Sequence, residues 1–180
     1  SFAEIESDGV PRDASALFMY GMPNTAWSGG RWWESGKVGS AVQKFVKAGG
    51  GLVALQAASH LDSPQPHWGL GDLLGVSPGG VKVKDPTLSR LPSAASHWLA
   101  AEIANVPEPQ ECFAVTPLRG SSVLYALATR TYSAPGVVVS QFGRGRVVYF
   151  SGWSPEYSFS RLMRRAIFWA AKRVADFLRL

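Results

Sequence analysis

The sequence predicts an α/β sandwich, with a mostly parallel sheet closed by a C-terminal β-hairpin and a long helix. Three observations carry that expectation. Two short apolar runs, "SALFMYG" at 15–21 and "LVALQ" at 52–56, are separated by a stretch with helical periodicity. Four apolar runs follow residue 112, the last two joined by "GRG" at 143–145. An amphipathic segment then occupies 158–179. Strands alternating with helical stretches imply helices packed on a sheet.

Each element has a local reason. The run at 15–21 ends in glycine, as a buried strand does. Residues 36–48, "GKVGSAVQKFVKA", place Val38, Val42, Phe45 and Val46 on one helical face, and "GGG" at 49–51 ends the helix. Strand, crossover helix and strand imply parallel pairing with a right-handed connection. "HWGLGDLLGV" at 67–76 predicts a short helix and "PSAASHWLAAEIA" at 92–104 another. "CFAVTPL", "SVLYALATR", "GVVVSQF" and "RVVYFSGW" predict four strands, and the glycines of "GRG" suit a tight hairpin. The final helix sets Phe159, Leu162, Met163, Ala166, Ile167, Ala170 and Val174 on its buried side.

Length and composition bound the function. A chain of 180 residues, 46% hydrophobic and 17% charged, suits one folded domain, 1–180, with a substantial core. No apolar run is long enough to span a bilayer, and the start "SFAEIESDGVPRD" lacks the basic-then-apolar order of a signal peptide. Cys112 is the single cysteine, which excludes an internal disulfide and favours a cytoplasmic location. The net charge of +5 gathers in the last helix, at Arg161, Arg164, Arg165, Lys172, Arg173 and Arg179. These alternate with apolar positions, so they read as a solvated face; neither nucleic acid nor membrane is expected as a partner.

The chemistry-bearing candidates mostly fail on spacing. "GGRWWESGKVGS" has Arg31 where a phosphate loop needs glycine and Val38 where it needs Ser or Thr. "GLGDLLG" at 69–75 lacks the third glycine spacing of a dinucleotide fingerprint. His60 and His67, with Asp62 between them, sit in a segment carrying Pro64 and Pro66, so they share no helix face and no metal site is expected. The carboxylates at Asp8, Asp13, Asp62, Asp72, Asp85 and Asp176 are scattered, and Cys112 falls within an apolar run as a packing residue does. The candidate ligand-binding residues are Trp27, Ser28, Gly29, Gly30, Trp32 and Trp33 of "NTAWSGGRWW". Indole faces stack on sugar rings, and loops at strand ends are where α/β sheets bind ligands. The alternative is a structural lid over the end of the sheet.

"NTAWSGGRWW", "VQKFVKAGGGLVAL", "LGDLLGV", "FGRGRVVYFSGW" and "RLMRRAIFWAA" occur in one order. From about Phe2 to Lys172 the chain thereby resembles the central domain of lacto-N-biose phosphorylases, also called 1,3-β-galactosyl-N-acetylhexosamine phosphorylases. "FVKAGGG" recurs in ThuA-like and β-galactosidase trimerisation domains of similar fold. The resemblance implies a flavodoxin-like, class I glutamine amidotransferase-like fold. In amidotransferases the turn after the second strand presents a catalytic cysteine; the matching residue here is Gln56, a degenerate nucleophile-elbow position. A primary amide is a poor nucleophile. The family's turn reads like Gly-Glu-Pro-Ser-Ala, whereas this chain has "QAASH" at 56–60, with Ala57 at the acidic position.

By the same resemblance, catalysis belongs to a TIM barrel, which uses phosphate to split β-1,3-galactosyl-N-acetylhexosamines into galactose 1-phosphate and the amino sugar. No barrel residue is present, so no catalytic residue is carried over, and no cofactor is implied. The domain is expected to be an N-terminally incomplete copy lacking the family's first strand. Its expected role is a non-catalytic scaffold, with the barrel or another chain as partner and possible homo-oligomers. The disaccharide and phosphate belong to the complete enzyme only. The alternatives are a carbohydrate- or small-ligand-binding module and an amidotransferase-like or ThuA-like hydrolase.

Overall fold

The computed structural model describes residues 2–20, 35–56, 70–107 and 112–177. In chain order they form α1 (Phe2–Asp8), β1 (Ala16–Tyr20), α2 (Gly36–Lys47), β2 (Gly51–Leu55), α3 (Gly71–Leu74) and β3 (Val76–Val83). There follow β4 (Thr87–Arg90), β5 (Asn105–Pro107), β6 (Cys112–Pro117), β7 (Ser122–Ala128), β8 (Ser133–Phe142) and β9 (Gly145–Phe150). The chain closes with α4 (Tyr157–Ala170) and α5 (Val174–Phe177). A seven-stranded sheet runs β1-β2-β9-β8-β7-β4-β5, and β3 pairs with β6 in a separate ribbon.

The expected strand–helix–strand unit is present, with β1 and β2 parallel in the register Ala16↔Gly51 to Tyr20↔Leu55. The sheet is mixed, not mostly parallel. β2 and β9 are also parallel, but β9–β8, β8–β7, β7–β4 and β4–β5 are antiparallel. The reason is connection length. Short links such as those joining β7, β8 and β9 reverse the chain at once, and only a long crossover returns a strand in the same direction.

The β8–β9 hairpin forms as expected, closed by Phe142↔Gly145. Gly143 takes φ +59, and a Cβ there would lie 2.7 Å from the Lys47 carbonyl oxygen at the end of α2. The turn therefore needs glycine for its backbone and for its contact.

Alternation along the strands divides the core. Leu52, Ala54, Val147 and Tyr149 face Val38, Val42 and Val46 of α2 and Leu73 and Leu74 of α3. Val53, Leu55, Val148 and Phe150 face Phe159, Leu162, Ala166 and Ala170 of α4. Cys112 is buried in this second layer.

Two further expectations change. The segment 92–104 is a 3-10 turn at Pro92–Ala94 followed by turns, not a helix. Its N–H groups repeatedly donate to the third residue back, as from His97 to Ala94 and Ala100 to His97. The helix expected at 158–179 is interrupted, because Lys172 adopts φ +60 and Arg173 N–H donates to the Phe168 carbonyl. Ile167, expected inside, is 39% exposed, whereas Arg165, expected on the solvated face, is 2% exposed. The elements β3, β4, β5 and α1 carry too few periodic residues to be read from sequence.

Candidate functional site

The parallel strands β1, β2 and β9 end in line at Tyr20, Leu55 and Phe150. Such carboxyl ends are where open α/β sheets receive ligands. Gln56 follows β2 immediately. Its φ is +53, its exposure is 5%, and its N–H donates to the Phe150 carbonyl at 2.8 Å. A non-glycine residue in this conformation costs on the order of 1–2 kcal/mol, a cost that the surrounding packing must offset. The bend after β2 is thus sharp and strained, and a carboxamide fills it.

The β9–α4 connection supplies the neighbouring wall. Ser151 is buried; its N–H donates to the Gly136 carbonyl at 2.8 Å and its Oγ to the Pro135 carbonyl at 3.2 Å. Ser154 Oγ accepts the Glu156 N–H at 3.2 Å, just before α4. Both hydroxyls bond to backbone groups, and among the described residues neither is hydrogen-bonded to a general base. Beside them a groove of about 540 Å³ opens between β1 and α4, lined by Phe18, Tyr20, Leu55, Trp153, Phe159 and Met163 among others. Burial raises the Tyr20 phenol above its ordinary value.

The other reactive groups lie elsewhere. Cys112 has no exposed surface; the N–H of its neighbour Phe113 donates to the Ser151 carbonyl at 3.3 Å. The His97 ring lies tilted against Trp169, with centroids 5.4 Å apart, and the Arg146 guanidinium sits 5.0 Å from the centre of the same Trp169 ring. Arg146 is paired with Gly51 at the start of β2, so His97 is at the opposite end of the strands from Gln56. Burial, then Arg146, push the His97 imidazole below its ordinary value. Among the described residues no three His, Cys, Asp or Glu side chains gather as a metal site would need. The expected ligand residues Trp27, Ser28, Gly29, Gly30, Trp32 and Trp33, and also His60, Asp62 and His67, lie outside the described residues.

Sequence reasoning missed Tyr20 and Trp153. The signal was their place in the chain: Tyr20 closes the first apolar run and Trp153 follows the last one, and both line the groove. It also missed the clamp around Arg165. That side chain donates to the Trp98 carbonyl, pairs with Glu102 at 3.0 Å and lies 4.3 Å from the centre of the Trp98 ring.

The model of the lacto-N-biose phosphorylase central domain matches residues 1–175. The chain belongs to that family. It is 30% identical over 171 residues to a 1,3-beta-galactosyl-N-acetylhexosamine phosphorylase of Lachnoclostridium phytofermentans, an alignment covering 93% of this chain and 22% of that protein. Its identity to the corresponding Bifidobacterium longum enzyme is 22% over 203 residues, covering 95% of this chain and 27% of that one. The chain therefore spans about a quarter of the length of the curated relatives it matches. In fold it is similar to a putative ThuA-like protein from Bacteroides uniformis, with TM-score 0.67, 15% identity and 94% of this chain and 74% of that chain covered. A beta-galactosidase from Bacillus circulans sp. alkalophilus superposes with TM-score 0.60 and 13% identity over 85% of this chain and 22% of that one. These likenesses support a flavodoxin-like frame for the family, built here on a mixed sheet. Among the described residues no helix is long and apolar enough to cross a membrane.

Proposed function

We propose that residues 1–180 act as a non-catalytic support and assembly domain of a glycoside phosphorylase for β-1,3-galactosyl-N-acetylhexosamines. On this reading Gln56 is the degenerate nucleophile elbow of an amidotransferase-like ancestor, and a TIM-barrel domain elsewhere in the enzyme performs phosphorolysis.

One observation carries the reading: in a member of this family, the strained bend after β2 holds a buried carboxamide. Nucleophilic catalysis there would need a thiolate or alkoxide beside a base. The thiol of Cys112 is sealed in the core, and the imidazole of His97 is at the far end of the sheet. The support role also agrees with the chain's share of its relatives' length, which leaves three quarters of each for other domains.

The test is an assay of the chain alone with a β-1,3-galactosyl-N-acetylhexosamine and inorganic phosphate, and separately with glutamine. Neither galactose 1-phosphate nor ammonia is expected. Release of either product in proportion to the chain's concentration overturns the reading.

A further inference from the structure

We propose that His97 is an acid-operated latch on the segment 95–104: protonation of its ring at Nδ1 releases the turn it closes and opens the segment locally. The inference rests on contacts between this segment, β9 and α4, and is independent of the support-domain reading.

Between the 3-10 turn at Pro92–Ala94 and β5 the segment forms no regular element. Its bonds reach three residues back. The His97 N–H donates to the Ala94 carbonyl at 3.0 Å, the Ala100 N–H to the His97 carbonyl at 2.8 Å, and the Ile103 N–H to the Ala100 carbonyl at 3.3 Å. Segments built this way belong to the part of a fold that opens first. One further bond closes the turn: the Leu99 N–H donates to Nδ1 of His97 at 3.3 Å. Leu99 is fully buried, so water is a poor replacement for the imidazole there.

An imidazole accepts at Nδ1 only while that nitrogen is unprotonated, with the ring proton on Nε2. A proton gained at Nδ1 turns the acceptor into a second donor facing the Leu99 N–H. The contact becomes repulsive and a buried N–H loses its partner, which favours the open segment. The surroundings act in the same direction. Burial first, and the Arg146 guanidinium against the shared Trp169 ring second, disfavour a charged imidazole while the segment is closed.

The other charged groups on the neighbouring elements have partners of their own. Glu102 of the segment pairs with Arg161 and Arg165 of α4. Arg90 of β4 donates to the Ala100 and Ala101 carbonyls. Past α4, Lys172 donates to the Arg144 carbonyl and Arg173 pairs with Asp176. The turn that His97 closes also carries Trp98, whose carbonyl and ring hold the Arg165 guanidinium. Opening therefore loosens that stack and admits water to Arg165, which is 2% exposed in the closed form.

Hydrogen exchange of the protein between about pH 7 and 5 tests this, corrected for the intrinsic pH dependence of exchange. Mass spectrometry reads it on peptides covering 95–104 and the β2 residues 51–55. Exchange of 95–104 is expected to rise about five- to tenfold on acidification, with β2 still protected. His97→Asn is expected to abolish the rise, because an Asn side chain accepts the N–H two residues on and does not titrate. Should His97→Asn fail to fold, Arg146→Gln gives a second reading, with opening moved to higher pH. Equal protection of 95–104 at both pH values overturns the proposal, as does opening only together with β2. So does an undiminished rise in folded His97→Asn, or an unmoved midpoint in Arg146→Gln.

Discussion

The N–H of Gln56 donates to the carbonyl of Phe150 at 2.8 Å, continuing the β2–β9 ladder one residue beyond the end of β2. That bond holds Gln56 at φ +53, where an L-residue is strained. Gln56→Gly removes the strain and loses the buried side chain, so its stability is expected to stay within about 1 kcal/mol of wild type. Gln56→Val adds a branched Cβ in the same conformation and is expected to cost about 2 kcal/mol or more. Urea denaturation of both variants decides it; equal losses would mean that the bend stores no strain.

Arg165 is the buried member of a cluster whose other charges, Arg161 and Glu102, are 46% and 59% exposed. Arg165→Ala removes a stacked guanidinium, its bond to the Trp98 carbonyl and much packing, with an expected loss of about 2–3 kcal/mol. Arg161→Ala, at an exposed pair, is expected to cost under about 1 kcal/mol. Thermal melts of the two variants should separate them clearly.

Two glycines at the ends of neighbouring elements are expected to respond in opposite directions. A Cβ on Gly51 would lie 2.4 Å from the Ala170 carbonyl carbon, so Gly51→Ala forces α4 away from β2 and costs about 1–3 kcal/mol. Gly36 opens α2 with nothing within 4 Å of its Cβ position. Gly36→Ala is expected to stabilise by about 0.4–1 kcal/mol through the unfolded chain. Denaturant midpoints measured side by side check both signs.

His97 gives the fold an acid limit. Its proton affinity is lowered in the folded state, by burial first and by Arg146 second. The unfolded chain therefore binds the proton more tightly. The stability linked to this group is complete above the ordinary histidine value of about 6.5 and is lost as pH falls below it. Melting temperature is expected to decline between about pH 7 and 5, and His97→Gln is expected to flatten that slope. An unchanged slope would assign the decline to other groups.

Tyr125 sets a limit on the alkaline side. Its hydroxyl donates to the Ile103 carbonyl at 2.7 Å, and burial holds its pKa at about 12 despite Arg90 and Arg165 nearby. The folded state resists ionisation, so its contribution is complete below the ordinary tyrosine value of about 10 and is lost as pH rises toward the folded value. Tyr125→Phe is expected to reduce that alkaline loss, read as a smaller fall in melting temperature above about pH 10.

Local patterns were legible where one element satisfies its own requirements. The periodicity of α2, the apolar runs of β1 and β2, and the two glycines of the β8–β9 turn identify their elements because spacing and backbone freedom are properties of a few consecutive residues. The family's motifs were legible for the same reason. The segment 92–104 was not: its composition suits a helix, but its Trp98 carbonyl and ring are taken up by Arg165, a partner distant in the chain. Sheet direction was equally hidden, since pairing follows from which strands meet.

The amino-acid order by itself determined that strands and helices alternate at the start of the chain, that Gln56 lies at the turn after the second strand, and which family the chain joins. Only the tertiary structure decided that the sheet is mixed and that Arg165 lies inside. Among the described residues it also set β1 at the end of the strand order, with Phe18 half exposed. Burial and pairing are relations between residues far apart in the chain, and their energies exist only once packing has brought those residues together.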